Sequence, residues 1–384
     1  MTISVDVRAA EASPVVQLER GGGELIERLE PEWRALCEEG PNNEPFFRPE
    51  WIAAYLRTFM PPDRLLLVTA RAEGKLTAVL PLVEERARFS GLSARKLVGT
   101  VELHCWRFDM ARSAGAEGRT AAHAVWEYLR ELPDWDMIEF PDVAQGGGLE
   151  DVLRAAEADG YPTHRWDFMQ TPVLSLAGWD GSEDFFLRRV SANLRQNLNR
   201  ITRKLMKQGP LVLRRYEHAD PELLRRFYEM ESAGWKGKEG TAIANAEKRI
   251  RFYNDLAQTA ERHGYLTLYF LEHAGKTLAI HYGLTYRNRY FMVRCAYDEH
   301  EKQYAPGHLL LHAVLRDCAG RGITEFDFIA HADEWKRKWT STFRPHAILY
   351  IFRKGSYGRL LRFAKTSVNP LLKRILGRED EVPA

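Results

Sequence analysis

Between Glu24 and Glu39 the apolar residues Leu25, Leu29, Trp33 and Leu36 recur at helical spacing, and Gly40-Pro41 then ends the pattern. This predicts an amphipathic helix. The next apolar runs, Leu65 to Arg71 and Leu76 to Val83, flank Glu73-Gly74-Lys75 and predict a tight hairpin. A helix from about Thr120 to Leu132, a strand Met137 to Phe140, a helix Leu149 to Ala158 and a strand Pro172 to Leu176 complete a first series.

The cluster Gly178-Trp179-Asp180-Gly181-Ser182 interrupts the pattern, and a second series begins after it. Ser191 fits an N-cap for a helix carrying Leu194, Leu198, Ile201 and Leu205, which stops at Gly209-Pro210. A strand (Leu211 to Tyr216), a helix (Pro221 to Ala233) and a long helix (about Ala244 to Arg262) follow. Three strand-like runs, Tyr265 to Glu272, Thr277 to Tyr286 and Tyr290 to Tyr297, are joined by turns of hairpin length and predict an antiparallel meander. The last elements are a helix from Gly307 to Ala319, a strand Thr324 to Ile329, a short helix near Asp333 to Trp339 and a strand His346 to Phe352. The expected fold class is mixed α/β, with the boundary between two similar halves placed at residues 178/179 and a C-terminal helix and tail after residue 355.

Length agrees with that division, because 384 residues exceed one ordinary core. A net charge of +2, from 55 basic and 53 acidic residues, gives the whole chain no strong field for a polyanion, so any such partner must bind locally. No apolar run is long enough to cross a bilayer and the first residues lack a signal-like core, from which a cytoplasmic location is expected. The four cysteines are far apart and suit a reducing compartment. His104-Cys105-Trp106 with Asp109 offers the elements of a metal site, but without a second ligand pair Cys105 reads as an ordinary thiol and no metal is expected.

Several short motifs occur in order in the second half: Tyr297-Asp298 closing a strand, Tyr304-Ala305-Pro306-Gly307-His308-Leu309-Leu310 opening a helix, Gly322, Phe326-Asp327-Phe328, and Trp335-Lys336-Arg337-Lys338-Trp339. Together they resemble the closing pattern of the cellulose-biosynthesis-type acetyltransferases of the GNAT superfamily, and the same order resembles the Fem peptidoglycan-bridge aminoacyltransferases. The resemblance spans about Phe185 to Phe352 and implies two tandem GNAT-like domains, each a mostly antiparallel mixed sheet flanked by helices. It implies an acyl-CoA-dependent N-acyltransferase, with acetyl-CoA or another acyl-CoA as co-substrate and an amine of a sugar, amino acid or envelope precursor as acceptor. Two alternatives stay open: aminoacyl-tRNA-dependent transfer, and a non-catalytic scaffold in polysaccharide or envelope assembly.

A helix N-terminus suits a pyrophosphate, which makes Pro306, Gly307, His308 and Leu309 the candidate cofactor-binding residues. Acyl transfer to an amine needs a base, oxyanion donors and a proton for the leaving thiolate. Glu231, His281, Tyr304 and Asp327 are the catalytic candidates, and His308 offers a second imidazole that titrates near neutrality. Trp235 and Lys236, in a loop where GNAT enzymes admit the acceptor, and Trp335 and Lys336 are the candidates for substrate contacts, with Asp327 and Lys336 expected to face one cleft. The stretch from Arg188 to Lys207 carries seven Arg or Lys residues and no acid, and is either a solvated face or the seat of an anionic partner.

Overall fold

The computed structural model describes residues 13–41, 44–60, 64–101, 107–234, 237 and 240–368. His104, Cys105, Trp106, Trp235 and Lys236 lie outside the described residues.

The chain begins with β1 (Val15–Gly21), α1 (Gly23–Glu39) and α2 (Pro49–Phe59). An antiparallel meander follows, made of β2 (Leu65–Ala72), β3 (Lys75–Phe89) and β4 (Leu92–Gly99). Short β5 (Ala111–Arg112) pairs with β3. Then come α3 (Gly115–Glu131), β6 (Met137–Ala144), α4 (Gly148–Ala158) and β7 (Thr163–Ser175). The second stretch opens with α5 (Ala192–Gln208), β8 (Leu211–Tyr216), α6 (Pro221–Ala233) and α7 (Glu247–Arg262). It continues through β9 (Leu266–His273), β10 (Lys276–Tyr286) and β11 (Arg289–Tyr297) to α8 (Pro306–Gly320). β12 (Glu325–Asp327), α9 (Glu334–Arg337), β13 (Thr342–Phe352) and α10 (Ser356–Phe363) complete the described chain.

All the strands join one sheet, in the order β1-β2-β3-β4-β6-β13-β7-β12-β11-β10-β9-β8 with β5 beside β3. From β1 and from β8 onward the two stretches share an order of elements, the short β5 apart, up to their last strands, which change places. β7 pairs with β12 of the second stretch, β13 pairs with β6 of the first, and the two pair with each other along Thr342–Ile351. The expected break near residue 178 is therefore a break in the chain path between β7 and α5, and the sheet runs on across it.

Helices cover both faces. Leu25, Leu29, Trp33 and Leu36 of α1 are buried as their spacing predicts, and they share a core with Trp51 of α2 and Phe252 of α7. Trp51 meets Phe252 edge to face at 5.9 Å, so the helices of the two stretches pack on one another as well as on the sheet. A second core lies between α3, α4 and the first-stretch strands, and a third between α5, α8 and β9 to β12. Ser191 caps α5, its hydroxyl accepting from Leu194 N at 3.3 Å.

Candidate active site at the opening between β11 and β12

β11 and β12 run parallel and pair only at Arg289–Phe291 with Glu325–Asp327. β11 continues to Tyr297 without that partner, so the sheet splits open along its last residues. Asp298 N donates to Leu278 O at 2.9 Å. By antiparallel alternation the backbone groups of residues 294 and 296 turn toward β10, and those of 293, 295 and 297 turn toward the opening.

The opening holds a cavity of about 570 Å³. Its walls are the end of α6 (Met230, Glu231, Gly234), His281 of β10, the end of β11 (Cys295 to Tyr297), the turn bearing Glu299 and Lys302, the start of α8, and Asp333 and Trp335 beside α9. The structure thus brings together Glu231, His281, Pro306, Gly307, His308 and Trp335 from the sequence candidates.

Glu231 is 2% exposed because α6 turns it inward beside Phe227 and Tyr228. One carboxylate oxygen accepts from Ile243 N at 2.9 Å, and the other lies 3.7 Å from the Arg294 guanidinium. His281 sits at the centre of β10 opposite Cys295, also buried.

The start of α8 is built for close approach. Ala305 precedes it in the left-handed region (φ 48°), a conformation that costs a non-glycine residue strain. Pro306 has no N–H to leave unpaired. The amides of His308 and Leu309 both return to Ala305 O, at 3.0 and 3.1 Å, so the first turn presents chiefly the Gly307 N–H and the positive end of the dipole. A Cβ on Gly307 would meet only Tyr297 Cδ1 at 3.8 Å, an ordinary contact, so packing does not require glycine there.

His308 carries information that the sequence could not supply. Trp339 Nε1 donates to His308 Nδ1 at 2.9 Å, and the two rings stack with centroids 6.0 Å apart. Nδ1 is therefore the acceptor nitrogen, and in the neutral ring the proton sits on Nε2. Burial lowers the His308 pKa, and the nearby Lys338 charge lowers it further. One turn on, burial pushes His312 down to about 4 although its Nε2 donates to Glu183 O at 2.9 Å.

Both imidazoles are neutral in the fold and protonate more readily in the unfolded chain, whose value is near 6.5. The unfolded state then binds more protons as pH falls below 6.5, and stability drops toward pH 4. For His312 the loss between pH 7 and 5 is expected to be about 2 kcal/mol by proton linkage. Denaturant midpoints at the two pH values should show it, and His312→Gln, which keeps a donor for Glu183 O, should flatten the slope. An equal slope in that variant would rule out His312 as its source.

Four candidates stand elsewhere. Tyr304 packs half-buried against the third core with the Lys204 ammonium 5.1 Å from its ring centroid, and does not line the cavity. Leu309 puts its side chain into the core and its amide into the helix. Asp327 is fully buried and receives both oxygens' worth of Arg107 NH2 contacts at 2.8 Å, together with Arg344 at 2.9 Å and Arg289 at 3.2 Å. Burial alone would raise its pKa, but the three guanidiniums win and hold it at about 2. Lys336 is spent on Ile329 O (3.1 Å), His331 O (2.7 Å) and Asp333 (2.9 Å). The expectation that Asp327 and Lys336 share one cleft is thus corrected: Asp327 is spent on buried guanidiniums, Lys336 on two backbone carbonyls and the exposed Asp333, and neither lines the cavity.

Two other groups of polar side chains are occupied. Asp109 caps α4, accepting from Gly148 N at 2.8 Å and Leu149 N at 3.0 Å. Glu30, Glu50 and His263 bring potential ligand atoms within 4.8 Å of one another, but Arg34 bonds Glu30 and His263 while Arg48 bonds Glu50, so cations already fill that role.

Residues 192–337 match a family model described as an acetyltransferase (GNAT) domain. A comparison with curated proteins finds no match. Among solved structures the chain is similar to FemX, with a TM-score of 0.58 at 12% identity over 90% of this chain and 98% of that one. It is also similar to L-PGS from Bacillus licheniformis, with a TM-score of 0.50 at 13% identity over 91% of this chain and 97% of that one. Such identities speak to fold alone. The match of residues 192–337 to a GNAT acetyltransferase domain, in a chain of mixed α/β fold, supports an acyltransferase.

Proposed function

We propose that the chain is an acyl-CoA-dependent N-acyltransferase, of the cellulose-biosynthesis type its motifs resemble, whose reaction takes place in the β11–β12 opening. The observation that carries this reading is the contrast between two equivalent openings. β4 and β6 are likewise parallel and paired only over Lys96–Val98 and Met137–Glu139. There the space beyond is filled by the chain's own Phe108, whose amide donates to Asp142 O at 3.1 Å and whose ring would lie 2.5 Å from a Cβ on Gly99. In the second stretch the corresponding space is a cavity with a helix start at its rim and a buried carboxylate on its wall.

The acyl group is read as lying along the end of β11, with the donor's pyrophosphate at Gly307. In this reading, backbone N–H groups of β11 and the His308 Nε2–H donate to the carbonyl oxygen as it gains charge. Glu231 takes one proton from the bound ammonium, the freed amine nitrogen bonds to the carbonyl carbon, the C–S bond breaks, and the second proton shed by the nitrogen restores the phenol that protonates the thiolate. The departing thiolate takes a proton from Tyr297 rather than Tyr304, because Tyr297 lines the cavity and Tyr304 does not. The acceptor is read as an amine of a sugar, amino acid or envelope precursor. The basic helix α5 flanks this site through the Lys204–Tyr304 contact and suits the donor's remaining phosphates.

Calorimetric titration with acetyl-CoA tests the reading. The parent should bind in the micromolar to millimolar range usual for enzyme substrates, and Gly307→Glu should bind at least about tenfold more weakly, since a carboxylate would stand in the anion's place. The same change should leave the melting temperature level or slightly raised, as glycine is a poor helix former. Equal affinity in the variant would sink this placement of the donor. Binding of aminoacyl-tRNA without acetyl-CoA would favour the Fem-type alternative, and binding of neither would favour a scaffold.

A further inference from the structure

The C-terminal part of the described chain has a surface that the acyltransferase reading does not use. No Asp or Glu occurs between Glu334 and Glu379, whereas twelve Lys or Arg residues do, a longer one-signed run than the one along α5. Within it lies α10. One side of this helix is docked: Leu361 is fully buried against Phe89, Met137, Tyr350 and Phe352, and the Tyr357 hydroxyl donates to Ser93 O.

The other side is apolar and open. Leu360 and Phe363 are 48% and 58% exposed, two of the five large hydrophobic side chains described as exposed. At 100° per residue they span one arc, with Arg359 and Arg362 along its flank. Arg359 turns back to Gly355 O at 3.4 Å. Arg362 stands near His164, whose pKa is lowered first by burial and then by this guanidinium. The segment itself holds no acid to answer either charge.

We propose that α10 is a peripheral docking element for an anionic lipid surface, lying in the interface plane with Leu360 and Phe363 inserted and Arg359 and Arg362 at headgroup level. The two features choose this partner jointly. A nucleic acid would use the charge but gives Leu360 nothing to bury against, and an apolar protein groove would use the side chains but leave the guanidiniums unanswered. A leaflet of negatively charged lipid satisfies both, because apolar burial and attraction of cations to its surface potential add. No helix of the described residues is long and apolar enough to cross a membrane, so the contact is lateral.

The test is sedimentation of the full chain with vesicles of phosphatidylcholine alone, or with about a third of the lipid as phosphatidylglycerol, a mixture with a strongly negative surface. The chain should sediment with the anionic vesicles and stay in solution with the neutral ones, and salt should release it as screening shortens the reach of its charges. Arg359→Glu with Arg362→Glu should weaken binding by more than about twentyfold, since each cation near such a surface is worth roughly fivefold. Leu360→Ser with Phe363→Ser should weaken it more than about tenfold through lost apolar burial. Both pairs are surface changes, so melting temperatures should stay close to the parent's. Equal partition onto both kinds of vesicle, or full affinity in the Leu360→Ser/Phe363→Ser chain, would overturn the proposal. So would a patch that binds tRNA instead, with the arginine variants losing that binding and the apolar ones keeping it.

Discussion

Asp327→Asn is expected to lower the stability of the folded chain by about 3 to 5 kcal/mol, the cost of breaking a buried ion pair by removing one partner. The size follows from what meets at this carboxylate. Arg107, Arg289 and Arg344 converge on it, Glu44 accepts from Arg107 at 2.7 Å and Arg289 at 3.1 Å, and Glu325 accepts from Arg289 and Arg344. Three guanidiniums therefore balance three carboxylates, with Asp327 and Arg107 fully buried at the centre and Glu325 and Arg344 at the edge. An asparagine keeps the shape, but it leaves one positive charge uncompensated and turns an amide N–H₂ toward a guanidinium. The Ile329 amide would still find an acceptor if the new side chain turned its oxygen that way, which is why the loss should stop short of unfolding.

The network also ties together segments distant in sequence: the loop carrying Arg107, the start of β11, β12, and β13. Denaturant unfolding should show the midpoint falling with an unchanged slope. Turnover per folded molecule should stay close to the parent's, because Asp327 does not touch the cavity. A variant as stable as the parent, or one fully folded yet inactive, would show that the carboxylate serves the reaction and not the fold.

This residue shows where sequence reasoning stops. Its strand was legible, as was the alternation that sets Phe326 and Phe328 on the opposite face, both buried in the core beside α8. Its partners were not, because Arg107 lies 220 positions away and reaches it through a pairing of strands that periodicity cannot register. The same holds for the exchange of β7 and β13: each reads as an ordinary strand, and nothing local says whose sheet it joins. α2 was missed because Pro49–Phe59 is short, and a short apolar run can be read as either helix or strand. β4 was missed because Leu92–Gly99 mixes basic and small residues. The helix start at Pro306 was legible because its signal is local, a proline at the first turn followed by glycine. The neutral donor form of His308 was not, since Trp339 sets it from across a loop.

Glu231→Gln should cost the largest share of activity of any single change that leaves the fold in place, on the order of 10²- to 10⁴-fold in rate, the usual range for removing a general base. The substitution is chosen for what it keeps. The amide oxygen of glutamine can still accept from Ile243 N, so the link between the end of α6 and the segment before α7 survives. What disappears is the negative charge and the ability to take a proton. The ion-pair loss is modest, because the nearest Arg294 nitrogen is already 3.7 Å away and that guanidinium also donates to Tyr253 OH at 3.0 Å. Acetyl-CoA affinity should therefore match the parent's, with the loss confined to turnover.

The pH profile then separates a base from a merely structural acid. With Glu231 present, the ammonium is deprotonated within the complex, so rate should depend on pH less steeply than the amine's own ionisation does. In the glutamine variant the only reactive acceptor is amine that arrives already neutral, so rate should climb about tenfold for each pH unit until the amine's own pKa is reached. A structural loss would lower the whole profile without changing its shape. If the variant turns over within about threefold of the parent and keeps the parent's profile, well short of the effect expected for a base, proton removal must be sought at His281, on the facing wall of the same cavity.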